Sequence, residues 1–99
     1  MYIQSYILKI KTKTKVSDKI KTKTYNLPIN CYTKDTSYGF KHIATLYNKE
    51  FKCCYYNRSW ERFQYESVLK KALEFIETDY NIKIKNYSKF LDKNLKKIN

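Results

Sequence analysis

Apolar and polar residues alternate with a period of two over Leu8–Lys15 and again over Lys19–Thr24. In an extended strand successive side chains point to opposite faces, so each run predicts a β-strand. Lys9, Lys11, Lys13 and Lys15 share one face of the first, against Leu8, Ile10, Thr12 and Thr14 on the other. Lys19, Lys21 and Lys23 do the same in the second, against Ile20, Thr22 and Thr24. Joined by a three-residue loop, Val16-Ser17-Asp18, the strands set Lys15 opposite Lys19, Lys13 opposite Lys21 and Lys11 opposite Lys23. All seven ammonium groups then line one face. A two-residue loop, Ser17-Asp18, would set Lys15 opposite Ile20 and scatter the charges over both faces, because a slip of one residue reverses every side chain. The three-residue loop is the expectation, since it leaves an apolar and threonine face free to sit on a core.

The same period continues after Pro28 and a polar stretch, Asn30–Gly39, that reads as a connecting loop. Lys41–Tyr47 and Phe51–Arg58 predict a second hairpin about Asn48-Lys49-Glu50. Phe51, Cys53, Tyr55 and Asn57 fall on one face of its second strand, and Lys52, Cys54, Tyr56 and Arg58 on the other. The period then changes to about 3.6. Tyr65, Val68, Leu69, Ala72, Leu73, Phe75 and Ile76 form a helical stripe, with Glu66–Lys70 and Lys70–Glu74 as i,i+4 charge pairs outside it. Its start falls at Ser59 or nearer Gln64. Ile82–Lys85 reads as a short strand or a loop. A basic last helix begins at Tyr87, capped by Asn86 or Ser88, with Leu91, Leu95 and Ile98 as its apolar row. The fold class is therefore α+β, one domain over residues 1–99. It comprises an antiparallel sheet of about four strands in two hairpins, a packed helix and a short basic C-terminal helix. Trp60, Val68, Leu69, Ala72 and Ile76 are expected in the core with Ile10 and Ile20.

Composition supports a folded chain. Leu, Ile, Val and Phe supply 24 of 99 residues, above the level of about 20 per cent below which charged chains stay disordered. Charge is the stronger signal. The net charge of +12 is concentrated at the two ends. Residues 1–34 carry eight lysines against Asp18 and residues 80–99 carry six against Asp92, around a slightly acidic 61–79. Such a field speeds encounter with polyanions and excludes a nucleic-acid mimic. Lysine also blunts exposed sheet edges, and the richness in Lys, Asn, Ile and Tyr is that of an AT-rich coding sequence, so charge alone does not establish a ligand.

Chemistry of other kinds has little support. No run of roughly 18–20 apolar residues and no secretory signal is visible, which predicts a cytoplasmic location. Cys31, Cys53 and Cys54 are an odd number in such a chain, which predicts free thiols. With His42 they match no usual zinc spacing, so no metal is expected. No catalytic arrangement and no cofactor motif is visible. The expectation is a non-enzymatic, cofactor-free protein with no membrane partner and no small-molecule substrate. A minor alternative is a basic endoribonuclease toxin using His42, Arg58, Glu61 and Arg62.

Tyr55-Tyr-Asn-Arg-Ser-Trp-Glu-Arg-Phe-Gln-Tyr-Glu66 is the most distinctive stretch. It resembles a Y-N-R-[ST]-W-E-x-[FY]-x-[YF]-[EQ] motif of small uncharacterised proteins from bacteriophages and integrative elements, and the similarity spans about Gly39 to Leu73. The resemblance implies a mobile-element origin, with the bacterial host cell as the place of action. In such a setting a short, catalytically bare protein is expected to be an anti-CRISPR or other anti-defence inhibitor, seated on guide RNA, on DNA or RNA, or on a nucleoprotein effector complex. A general DNA- or RNA-binding accessory protein is the alternative, and an assembly adaptor using the aromatic surface is a third. The residues expected to bind are Lys9, Lys11, Lys13, Lys15, Lys19, Lys21 and Lys23, with Arg58 and Arg62, whose planar forks beside aromatic faces suit phosphate contact and base stacking.

Overall fold

A computed structural model of the chain describes residues 3–55 and 65–98. Five strands form one antiparallel sheet: β1 (Gln4–Val16), β2 (Lys19–Thr36), β3 (Gly39–Leu46), β4 (Lys49–Tyr55) and β5 (Leu95–Lys97). Their spatial order is β4-β3-β2-β1-β5. Two helices, α1 (Glu66–Asp79) and α2 (Tyr87–Asn94), complete the fold. The class is α+β as expected, with five strands in place of about four.

The core lies between one face of the sheet and the helices. Leu8 and Ile10 of β1, Leu27, Ile29 and Cys31 of β2, and Ala44 and Leu46 of β3 point to that face. They meet Val68, Leu69, Leu73 and Ile76 from α1 and Leu91 from α2. The helical stripe predicted from spacing is the buried face of α1, Tyr65 included, except that Phe75 is only half-buried at its edge. The Glu66–Lys70 pair forms at 2.8 Å. Tyr65 hydroxyl lies 3.2 Å from Thr33 Oγ1, tying the start of α1 to the middle of the sheet.

Three expectations about the strands are overturned. The stretch Asn30–Gly39 is not a connecting loop, since β2 runs on to Thr36 and pairs with β3 from Asn30 onward. Pro28 is tolerated because at that point β2 is bonded to β1 alone, so the missing N–H leaves no gap in a second ladder. The second hairpin turns at Tyr47-Asn48, not at Asn48-Lys49-Glu50, with Leu46 opposite Lys49 and Tyr47 at φ 54°. The last helix stops at Asn94, and Leu95–Lys97 becomes β5 opposite Tyr6–Leu8. Leu95 there still packs on the core, but as a strand residue, while Ile98 is exposed.

Ile82–Lys85 forms neither strand nor helix. Ile20, expected in the core, is 68 % exposed. Trp60, also expected there, lies outside the described residues.

Cys53 and Cys54 point to opposite faces of β4, as alternation predicts, with Cys53 beside His42 and Cys54 beside Lys41. All three thiols are free, with Cys31 buried, Cys53 half-buried and Cys54 exposed. Burial pushes the Cys31 thiol up to about 12, so it carries no thiolate at neutral pH. A thiol reagent should therefore modify Cys54 first in the native protein and Cys31 last, with three thiols titrating after denaturation. Native Cys31 reacting as fast as Cys54 would contradict this packing.

Candidate nucleic-acid interface

The hairpin register decides where the lysines go. Lys15 lies opposite Ile20, Lys13 opposite Thr22, Lys11 opposite Thr24 and Lys9 opposite Asn26, so the loop is the two-residue Ser17-Asp18. Both loop residues have positive φ, 46° and 64°, the geometry of a type I′ turn. Directly opposed residues share a face. Lys9, Lys11, Lys13 and Lys15 therefore lie on the sheet face away from the helices, whereas Lys19, Lys21 and Lys23 extend the face that carries the core. The expected single face of seven lysines does not exist. Its register would have set Leu8 against Asn26 and buried an amide, whereas the observed one pairs Leu8 with Leu27 and keeps lysines from standing directly opposite one another.

A different cluster takes its place. Because β5 covers β1 only at Tyr6–Leu8, no described residue pairs with the outer edge of β1 from Lys9 onward. A cleft of about 460 Å³ opens beside it, lined by Lys9 and Lys11 from β1, Lys83 and Lys85 from the connecting segment, and Lys89 and Lys93 from α2. Ile84, Asn86, Phe90 and Asn94 complete the lining among the described residues, and none of these carries a carboxylate. A smaller adjoining cleft of about 220 Å³ shares Lys9 and Lys93 and extends the basic surface to Lys96.

Local interactions set each of these lysines. Asn86 caps α2, its Oδ1 accepting from Lys89 N–H at 3.0 Å. Lys89 and Lys93 then stand one turn apart on the same side, while Leu91 is buried. Glu77 of α1 anchors the connecting segment. Its carboxylate accepts from Ile84 N–H at 3.0 Å and from the Tyr87 hydroxyl, so Lys83 and Lys85 flank a fixed point.

The Tyr87 hydrogen bond, then the Ile84 N–H and the Lys83 charge, hold the Glu77 carboxyl below its ordinary range, and the same bond pushes Tyr87 up to about 12. A carboxyl depressed by folding stabilises at neutral pH and ceases to do so as the pH falls through its folded value. The thermal midpoints of wild type and Glu77→Gln should therefore differ most near pH 7 and converge below the glutamate range of about 4. A difference independent of pH would show that the charge plays no part.

Same-face neighbours on β1 are about 7 Å apart, so each exposed pair repels by roughly 0.6 kcal/mol in water before salt screening. Six ammonium groups around one cleft accumulate such terms, and a bound polyanion removes them. Of the residues predicted to bind, Lys9 and Lys11 line the cleft and Lys13 and Lys15 continue the row. Lys19, Lys21 and Lys23 lie on the other face, with Lys23 Nζ 4.9 Å from the centre of the Tyr25 ring. Arg58 and Arg62, and most of the motif around them, are outside the described residues.

Sequence reasoning did not name Lys83, Lys85, Lys89 and Lys93 as binding residues. The charge of the last twenty residues and the four-residue spacing of Lys85, Lys89 and Lys93 were the available signals.

His42 is buried on β3, its ring centre 5.2 Å from that of Phe40, 5.0 Å from Tyr55 and 4.8 Å from Tyr65. Among the described residues no group of three or more His, Cys, Asp or Glu could hold a metal ion. No described helix is long and apolar enough to cross a membrane. No family model, curated protein or solved structure matches the chain.

Proposed function

We propose that this protein is a non-enzymatic binder of nucleic acid, free or exposed on a nucleoprotein complex, and that the lysine cleft beside β1 is its contact surface. The observation that carries the reading is the convergence of six lysines from a strand, a connecting segment and a helix on one cleft, with no carboxylate among its described lining residues. Lysine contacts to phosphate supply affinity without sequence preference, through release of condensed counterions. Phe90 offers an apolar face within the same cleft, suited to a base or sugar edge. The resemblance of residues 55–66 to mobile-element proteins favours use against a host defence complex, as an anti-CRISPR-like inhibitor.

Titration of a labelled oligonucleotide by fluorescence anisotropy tests the binding reading. Log affinity should fall linearly with log salt with a slope near the number of phosphate contacts. Absence of binding at 50 mM salt would overturn it. Recovery from a bacterial lysate with and without nuclease separates the two uses. One large complex that survives nuclease supports the inhibitor, and bulk nucleic acid lost on treatment supports an accessory protein.

A further inference from the structure

The hairpin formed by β1 and β2 leaves the core beyond Ile10 and Tyr25. Residues 11–24 are exposed apart from half-buried Thr12, and among the described residues neither strand has an outer neighbour there. Six paired residues on each side, at about 3.4 Å per residue, make a ribbon roughly 20 Å long, its base at Thr12–Thr14 sharing a cleft with Asp79, Tyr80 and Asn81 and its outer part clear of the helices. It extends a molecule that measures 57 × 24 × 22 Å. The two-residue register charges both sides of this ribbon. Lys11, Lys13 and Lys15 project from one face, Lys19, Lys21 and Lys23 from the other, and Asp18 at the tip is the one acid between residues 11 and 24.

A single strand lying across one face would leave the opposite three ammonium groups in water. A duplex groove differs, because it has a phosphate backbone on each wall. The B-form major groove, about 12 Å wide and 8.5 Å deep, admits a two-stranded β-ribbon, while the major groove of duplex RNA is too narrow and deep for side chains to read. We infer that residues 11–24 enter the major groove of double-stranded DNA edge-on, with the Lys11 face on one backbone and the Lys19 face on the other. This rests on the nucleic-acid reading above and narrows it to duplex DNA. The β1 edge leads, because the lysine cleft opens on that side and the same approach brings Lys89 and Lys93 onto the flanking phosphates. The ribbon contains no Arg, Asn or Gln, and in this placement its lysines, which could otherwise reach guanine, point at the two phosphate walls and not at base edges. Recognition is therefore by groove shape and charge, indifferent to sequence.

The test compares a 20-base-pair DNA duplex, one of its strands and the matching RNA duplex, using wild type, Lys13→Ala/Lys15→Ala and Lys19→Ala/Lys21→Ala. The DNA duplex should bind tightest. Each double variant should lower its salt slope by about 2, at an unchanged melting midpoint. Three results would overturn the inference: equal or tighter binding of the single strand or of RNA, a slope change confined to one pair, or wild-type slopes for both pairs. Binding lost only in cleft variants would leave the wider nucleic-acid reading intact and remove this one. No binding of the wild type to any of the three would remove both.

Discussion

Leu69→Ala is expected to destabilise the protein by about 2–5 kcal/mol, the range for deleting a buried leucine side chain whose surroundings relax only in part. Leu69 is 1 % exposed and sits in the middle of the α1 stripe, between Val68 and Ala72, against β-strand residues that cannot shift without breaking the sheet ladder. For a domain of this size each kcal/mol lowers the melting midpoint by about 4–8 °C, so a fall of at least about 8 °C should be seen by circular dichroism. A midpoint unchanged from wild type would mean that α1 presents another face to the sheet. The core cannot compensate easily, since it is one cluster spanning the sheet and both helices, and a void at its centre has no solvent-exposed side through which to close.

The second large effect belongs to the cleft. The fourfold variant Lys83→Ala, Lys85→Ala, Lys89→Ala, Lys93→Ala should lower the slope of log affinity against log salt by about 3, since each lost phosphate contact removes 0.7 to 0.9. Between 1 M and 0.1 M salt the gap between wild type and variant then widens about a thousandfold. All four side chains are exposed, so the fold should tolerate their loss to within about 0.5 kcal/mol. Lys49→Ala with Lys71→Ala, on β4 and α1, should keep the wild-type slope. Equal slopes for wild type and the fourfold variant would show that the cleft is merely hydrated. Opposite outcomes are thus expected of the two variants. Leu69→Ala should lose stability and retain the salt slope where it is folded, whereas the cleft variant should lose the slope and retain stability. A loss of both in either one would indicate that binding and folding are coupled through Glu77, which joins α1 to the segment carrying Lys83 and Lys85.

Local periodicity was enough to determine much of this protein. The 3.6-residue stripe from Tyr65 to Ile76, the period-two runs of β1 and β4, the opposite facing of Cys53 and Cys54, and the Asn86 cap follow from contacts within a few residues, so the sequence displays them directly. The hairpin register was also latent there. Tyr25, Leu27, Ile29 and Cys31 alternate in phase with Leu8 and Ile10 only if the loop has two residues, but that phase is visible only once β2 is carried through Pro28. The lysine pattern points one way and buried area the other, and burial prevails because an amide facing the core costs free energy while a row of like charges gains none without a bound anion.

Tertiary structure alone decided the rest. Leu95 satisfies the apolar row of a helix and of a strand equally, and it becomes β5 because the unpaired edge of β1 offers a ladder at that height. The lysine cleft is assembled from residues more than seventy positions apart, brought together by the antiparallel return of the chain to β1. No local pattern encodes such a juxtaposition. It arises when the packing of α2 on the sheet fixes, as a by-product of burying Leu91, where the charges on its exposed side must stand.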